Sequence, residues 1–213
     1  MSSENFDLVV FDLDGTLTDS MACLADWLHR AVEPYCPGPV TPADITRSFG
    51  PAEIGIISQF VGPERVPLCL DAYYELYERE HDRVLVYPGI SALLDELKRR
   101  GLPLALCTGK GRRAVNISLR LLGWDALFDV VITGDDTRQF KPDPEGLNLI
   151  LARTRFARER VLFVGDSAAD IAAADGAGIV SGHARWGLSA PAAPFSPRPQ
   201  HLLNTPQAVL AIL

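Results

Sequence analysis

Four short apolar runs, each ending at a glycine-bearing or acidic turn and each followed by a helical pattern, constrain this chain more than any other feature. Residues 8–11 run into Asp12 and Gly15, residues 102–107 into Thr108-Gly109, residues 128–132 into Thr133-Gly134, and residues 161–164 into Gly165-Asp166. Runs of this length without polar alternation suit strands buried on both faces. Strands alternating with helices imply right-handed crossovers and a parallel sheet covered by helices. The expected fold is therefore α/β, a Rossmann-like doubly wound parallel sheet whose functional residues gather at the carboxyl ends of the strands. The four loops should converge.

The stretch 21–86 breaks this rhythm. It lacks a clear apolar strand and carries helical patterns at 21–32, 52–60 and 67–83, so it reads as an α-helical unit inserted after the first strand. Residues 1–20 and 87–213 then form the sheet-bearing core. A helix is expected over 91–100, with Pro88 before its start and Gly101 after its end. The proline- and alanine-rich stretch 190–199 reads as a surface loop, and the last ten residues as a packing helix.

Composition narrows the function classes. A net charge of -7 sets the overall field against nucleic acid and anionic membrane, so an anionic substrate needs a local cluster of positive groups. Cys23, Cys36, Cys69 and Cys107 are scattered without a CxxC pair, which argues against a disulfide framework or a structural zinc site and fits a reducing, cytoplasmic setting. The amino-terminal residues lack the pattern of an export leader, and no apolar segment approaches a membrane span. His29, His81, His183 and His201 show no metal-ligand spacing and read as surface or packing residues.

Four elements carry the chemistry. In FDLDGTLTDS, Asp12 and Asp14 lie two apart at a strand end, a spacing that can aim both at one site. Thr108-Gly109-Lys110 places a hydroxyl and a close-approach glycine before a helix start, where free N–H groups and the helix dipole favour an oxyanion. Pro142 biases Lys141 toward extended backbone, with Asp143 and Pro144 read as N-cap and first helical residue. Asp166 and Asp170 share a helix start in GDSAAD. Any one of these alone is also what an ordinary turn, cap or surface lysine would carry.

Together and in this order, FDLDGT, the Thr108 turn, Lys141 and GDSAAD resemble the four motifs of the haloacid dehalogenase superfamily. The helical insert, Tyr87-Pro88-Gly89-Ile90 and Arg185-Trp186-Gly187 are similar to its phosphoglycolate phosphatase-like branch. The resemblance implies that Asp12 attacks phosphorus to give an aspartyl-phosphate, while Asp14 protonates the leaving oxygen and then deprotonates the hydrolytic water. It implies magnesium held by Asp12, Asp166 and the Asp14 backbone carbonyl, with Lys141 as a second counter-charge. Thr108 and the Gly109 N–H would bind the transferring phosphoryl oxygens, and Asp170 would orient Lys141 or metal-bound water from behind. Counter-charge is needed because a carboxylate about 4 Å from a phosphate dianion is repelled by roughly 8 kcal/mol at an effective dielectric near 20. The insert would close over the site as a cap, with Arg47, Glu53 and Lys110 as candidate specificity residues.

The expected substrate is a small phosphorylated metabolite such as phosphoglycolate, with pyrophosphate or a nucleotide monophosphate as alternatives. Two rivals stand beside hydrolysis: a phosphomutase on the same scaffold, and an aspartate-phosphorylated receiver module. A receiver needs neither an insert of this size nor Asp14 beside a first-strand acceptor. The resting oligomer is not legible from these patterns.

Overall fold

A computed structural model describes residues 6–187 and 195–213. Six strands form one parallel sheet: β1 (Leu8–Phe11), then, after the small strands β2 (Thr18–Asp19) and β3 (Leu85–Val86), β4 (Leu104–Cys107), β5 (Val130–Ile132), β6 (Val161–Gly165), β7 (Val180–Ala184) and β8 (His201–Leu203). Their order is β5-β4-β1-β6-β7-β8, with Val10 beside Ala105 on one side and Phe163 on the other. The chain starts in the middle, builds outward to one edge and then returns to build toward the other. This is the doubly wound arrangement, and the reversal beside β1 opens a crevice at the strand ends.

Successive residues of β1 serve opposite faces of the sheet, as the strand period of two requires. Leu8 and Val10 pack with Leu147, Ile150 and Phe163 under the helices Glu145–Thr154 and Ala168–Ala177, whereas Val9 and Phe11 pack with Leu93, Leu97 and Val115. Both faces are thus buried, which explains an unbroken apolar run.

The insert contains four helices: α1 (Met21–Val32), α2 (Pro42–Arg47), α3 (Glu53–Ile57) and α4 (Val66–Arg79). The antiparallel pair β2–β3 ties together its entry and exit. It has a cluster of its own around Trp27, Tyr73 and Tyr77, all fully buried, with the Trp27 and Tyr77 rings edge to face at 5.1 Å. Ala114 and Ile117 join that cluster from the sheet side. They lie on α6 (Arg112–Leu121), which follows α5 (Ile90–Arg99) and precedes α7 (Glu145–Thr154), α8 (Ala168–Ala177) and α9 (Gln207–Leu210). Among the described residues, no helix is long and apolar enough to cross a membrane.

Several expectations shift. The strand expected over 102–107 begins only at Leu104, and that over 128–132 only at Val130, where the Asp129 carboxylate accepts from the Leu104 N–H. Proline 144 is the N-cap of α7, and Asp143 instead accepts from the Glu145 N–H. The carboxyl-terminal helix is one turn, anchored by Val209. Residues 190–194 of the expected surface loop lie outside the described residues. Residues 196–199 form an exposed to half-buried loop as expected, and Phe195 is the exception, buried with its ring 4.5 Å from that of His183.

Candidate active site

Asp12 leaves the end of β1, its N–H still bonded to Val164, and Asp166 leaves the end of neighbouring β6. The turn between Asp12 and Thr18 is closed by the Gly15 N–H on the Thr18 carbonyl. Gly15 sits at φ +89°, and a Cβ there would lie 2.6 Å from Asp166 Oδ2. Only glycine provides both the backbone conformation and the clearance. Gly15→Ala is expected to destabilise the fold by about 1–3 kcal/mol and to push Asp166 from its place. Thermal melting would check this, and a variant with an unchanged melting temperature would refute the packing argument.

The loops meet around a cavity of about 280 Å³ bordered by Asp12, Asp14, Thr108, Gly109, Lys110, Lys141, Asp166 and Glu53. Three of the four strand-end loops, with Lys141 from the segment before α7, thereby border one space. The loop after β5 stands behind: the Gly134 N–H holds the Lys110 carbonyl.

Two lysine–aspartate pairs organise the charge. Lys141 Nζ is 3.0 Å from Asp12 and 2.5 Å from Asp170 Oδ1, while Asp170 Oδ2 accepts from the Ser167 N–H and hydroxyl in a capping box that starts α8. Lys110 Nζ lies 3.0 Å from Asp14 and 4.8 Å from the Tyr77 ring centre, and the Ser20 hydroxyl donates to the same carboxylate. Burial alone would lower both lysines, but the carboxylates facing them outweigh it and hold both above their ordinary range. Both stay protonated.

The carboxylates tell the complementary story. Burial pushes Asp12 up to about 8, Lys141 pulls it back, and the Asp170 and Asp166 charges add to the rise. Asp166 is pushed to about 6, first by burial and then by Asp170, despite a 3.0 Å hydrogen bond from the Thr16 hydroxyl. Carboxyl oxygens of Asp12, Asp166 and Asp170 lie within 4.8 Å of one another, close enough to share a cation. Asp170 already spends both oxygens on Lys141 and Ser167, so a hard oxygen-seeking cation fits best between Asp12 and Asp166. The side chain of Asp14 faces Lys110 and stands outside this cluster.

The insert supplies the remaining wall. The Gly50 carbonyl oxygen would stand 2.8 Å from a Cβ at Gly109, so the insert loop lies backbone to backbone against the Thr108 turn. Glu53 is buried; its Oε2 accepts from the Gly111 N–H at 2.9 Å, at the N-terminus of α6, and Oε1 lies 3.5 Å from the Tyr73 hydroxyl. Arg47 is set apart. It sits exposed in the last turn of α2, paired with Asp44 of the same helix, and does not border the cavity. Thr16, Ser20 and Trp186, whose indole donates to the Thr16 carbonyl at 2.8 Å, carry supporting contacts absent from the sequence reading. The FDLDGT string contains the first of these, but no local signal marks its partner.

The sequence profile of the haloacid dehalogenase-like hydrolases matches residues 9–183. The chain belongs to that family. Pyrophosphatase PpaX of Bacillus velezensis is 31% identical over 214 aligned positions, covering 100% of this chain and 98% of the relative. A predicted phosphoglycolate phosphatase from Haemophilus somnus superposes with a TM-score of 0.82 at 24% identity, over 97% of each chain. CbbY from Rhodobacter sphaeroides, solved with phosphate, gives 0.84 at 23% over 98% of this chain and 99% of that one. At these identities the two structures establish the shared fold alone; the family assignment rests on the profile match, and the chain is a hydrolase of that family.

Proposed function

We propose that this hydrolase is a magnesium-dependent phosphomonoesterase of the phosphoglycolate phosphatase-like branch, acting on small phosphorylated metabolites through Asp12. The single observation that carries the reading is the buried constellation at the reversal of the sheet: Asp12 beside protonated Lys141, with Thr108 and Asp166 on the same cavity.

In this reading an Asp12 oxygen attacks phosphorus as the ester P–O bond breaks, and Asp14 gives the departing alkoxide its proton. Asp14 then takes a proton from water, which attacks the aspartyl-phosphate and releases phosphate and free Asp12. Lys141 balances the nucleophile's charge, and Asp170 positions Lys141 from behind. The Thr108 hydroxyl accepts from the Lys110 N–H at 3.2 Å, which leaves its own proton for a phosphoryl oxygen, with the Gly109 N–H beside it. Asp12, Asp166 and the Asp14 carbonyl would hold magnesium. The chemistry supplied by that ion when bound is charge neutralisation between nucleophile and phosphate.

Residues 21–86 serve as the cap and exclude water from the phosphoryl transfer, with 1–20 and 87–213 as the core. Glu53 and Lys110 are retained as specificity residues, whereas the exposure of Arg47 argues against a substrate contact. A cytoplasmic setting agrees with four free cysteines.

Phosphate release from a panel of small esters, measured with magnesium and with chelator, tests the reading. Chelation is expected to remove at least about 99% of turnover, restored by added magnesium. Release that survives chelation would overturn the magnesium requirement, and interconversion of sugar phosphates without phosphate release would move the site to the phosphomutase class.

A further inference from the structure

We propose that the ester accepted here carries an uncharged or cationic, largely apolar alcohol, and that Glu53 turns away anionic leaving groups. The inference rests on the phosphomonoesterase reading and narrows its substrate class.

The cavity wall divides by origin. The sheet loops contribute the charged groups already described. The insert contributes Met21, Leu24 and Leu28 from one face of α1, together with Phe49, Ile56 and Tyr73. Residues 21, 24 and 28 follow a helical repeat, so they form one apolar strip along the space where the alcohol half must lie once phosphorus is at Asp12.

An anionic alcohol, such as one ending in a carboxylate or a second phosphate, needs a cation of its own. Lys110 and Lys141 are the only lysines or arginines among the described residues that border the cavity. Lys141 is held between Asp12 and Asp170. Lys110 has a side chain only 2% exposed and contacts both Asp14 oxygens, at 3.0 and 3.3 Å. Releasing it toward substrate would strip Asp14 of its counter-charge and leave Glu53 without a cationic neighbour.

The one charged side chain that the insert places on this wall is therefore an acid. Glu53 is 4% exposed and fixed through Oε2 by the Gly111 N–H. Among the described residues its Oε1 has only the long 3.5 Å contact with Tyr73, and it can accept from a ligand hydroxyl or ammonium. Burial raises the Glu53 carboxyl and the Lys110 charge opposes that rise; with Glu53 ionised, a ligand carboxylate in the same place meets like charge in a poorly solvated pocket, the repulsive element by which a site discriminates.

The test is a charge-matched series: n-butyl, aminobutyl and carboxypropyl phosphate, with phosphoglycolate and pyrophosphate, at saturating magnesium. The butyl and aminobutyl esters should exceed carboxypropyl phosphate, phosphoglycolate and pyrophosphate in kcat/KM by about tenfold or more. Glu53→Gln keeps the acceptor shape and removes the charge, so it should shrink the aminobutyl-to-carboxypropyl ratio by about fivefold or more. The wild-type series stands by itself if that variant folds poorly. A carboxypropyl ester, phosphoglycolate or pyrophosphate turned over as well as butyl phosphate would overturn the inference while leaving the phosphatase reading intact. An unchanged ratio in well-folded Glu53→Gln would overturn the role of Glu53. Release from none of the compounds would remove the phosphatase reading and this inference with it.

Discussion

Asp12→Asn is expected to lower phosphate release by about 10⁴-fold or more, because a neutral amide cannot serve as the nucleophile. The same substitution should leave the fold intact and, without metal, make it more stable at neutral pH. Burial pushes Asp12 from 3.8 to about 8, with Lys141 opposing the rise and Asp170 and Asp166 reinforcing it. An acid raised on folding keeps its proton in the native chain after the unfolded chain has lost it. Its contribution to stability is thus full below about pH 4 and falls away as the pH climbs toward about 8. Asparagine does not titrate, so the melting temperature of the chelated variant should gain on that of the wild type between about pH 5 and 8, by several degrees, at roughly 2–4 °C per kcal/mol for a chain of this size. Magnesium should narrow the gap by giving the wild-type carboxylate a counter-charge. Comparing the two proteins cancels other titrating groups such as His81, which burial lowers. A well-folded, active variant would remove Asp12 from the chemistry; equal melting across the whole range would refute the argument from its burial.

The parts of this protein legible in its sequence are those decided by local pattern. β1 and β6 are continuous apolar runs because both faces of the sheet are covered, and the residues at their ends could be assigned to one crevice from topology alone. Val180–Ala184 and His201–Leu203 escape the same reading. The first contains serine, glycine and histidine, the second is only three residues, and both become strands through parallel pairing with a neighbour already in place. Helix α2 escapes too, although Thr41 and Asp44 form a capping box that the sequence displays openly. Its shortness removes the periodic signal.

The site divides likewise. Asp12, Thr108 and Asp166 stand at strand ends and Lys141 stands just before Pro142 ahead of α7, so they announce themselves by position. Which lysine faces which aspartate is a tertiary fact: 96 residues separate Lys110 from Asp14, and 29 separate Lys141 from Asp170. In the loop of the insert, polarity marks the segment but not the residue that turns inward. Arg47 ends a short helix facing solvent, while Glu53 starts the next helix facing the cavity. That orientation is set by how Ile45, Ile56 and Ile57 seat the two helices against the Trp27 cluster.

The loss of Lys141 should have the largest structural cost of any change at the site. Asp170 is fully buried, and its Oδ2 is satisfied by Ser167, but Oδ1 depends on Lys141 at 2.5 Å. Lys141→Met keeps a long unbranched stem beside the Phe163 ring, 5.7 Å from the ammonium, so what is removed is mainly charge. It leaves the Asp12, Asp166 and Asp170 carboxylates crowded together without their cation. Breaking a buried pair from one side costs about 3–5 kcal/mol, which for this chain is a fall of roughly 10 °C in melting temperature. Activity should be lost as well, since no ammonium remains beside Asp12. Adding Asp170→Asn separates the two effects: it removes the orphaned charge and should recover about half of the lost stability while restoring no turnover. Equal melting of Lys141→Met and wild type at neutral pH would show that the acidic cluster neutralises itself by binding protons. Recovery of turnover in the double variant would show that Lys141 acts only by holding Asp170, with no direct part in the chemistry at Asp12.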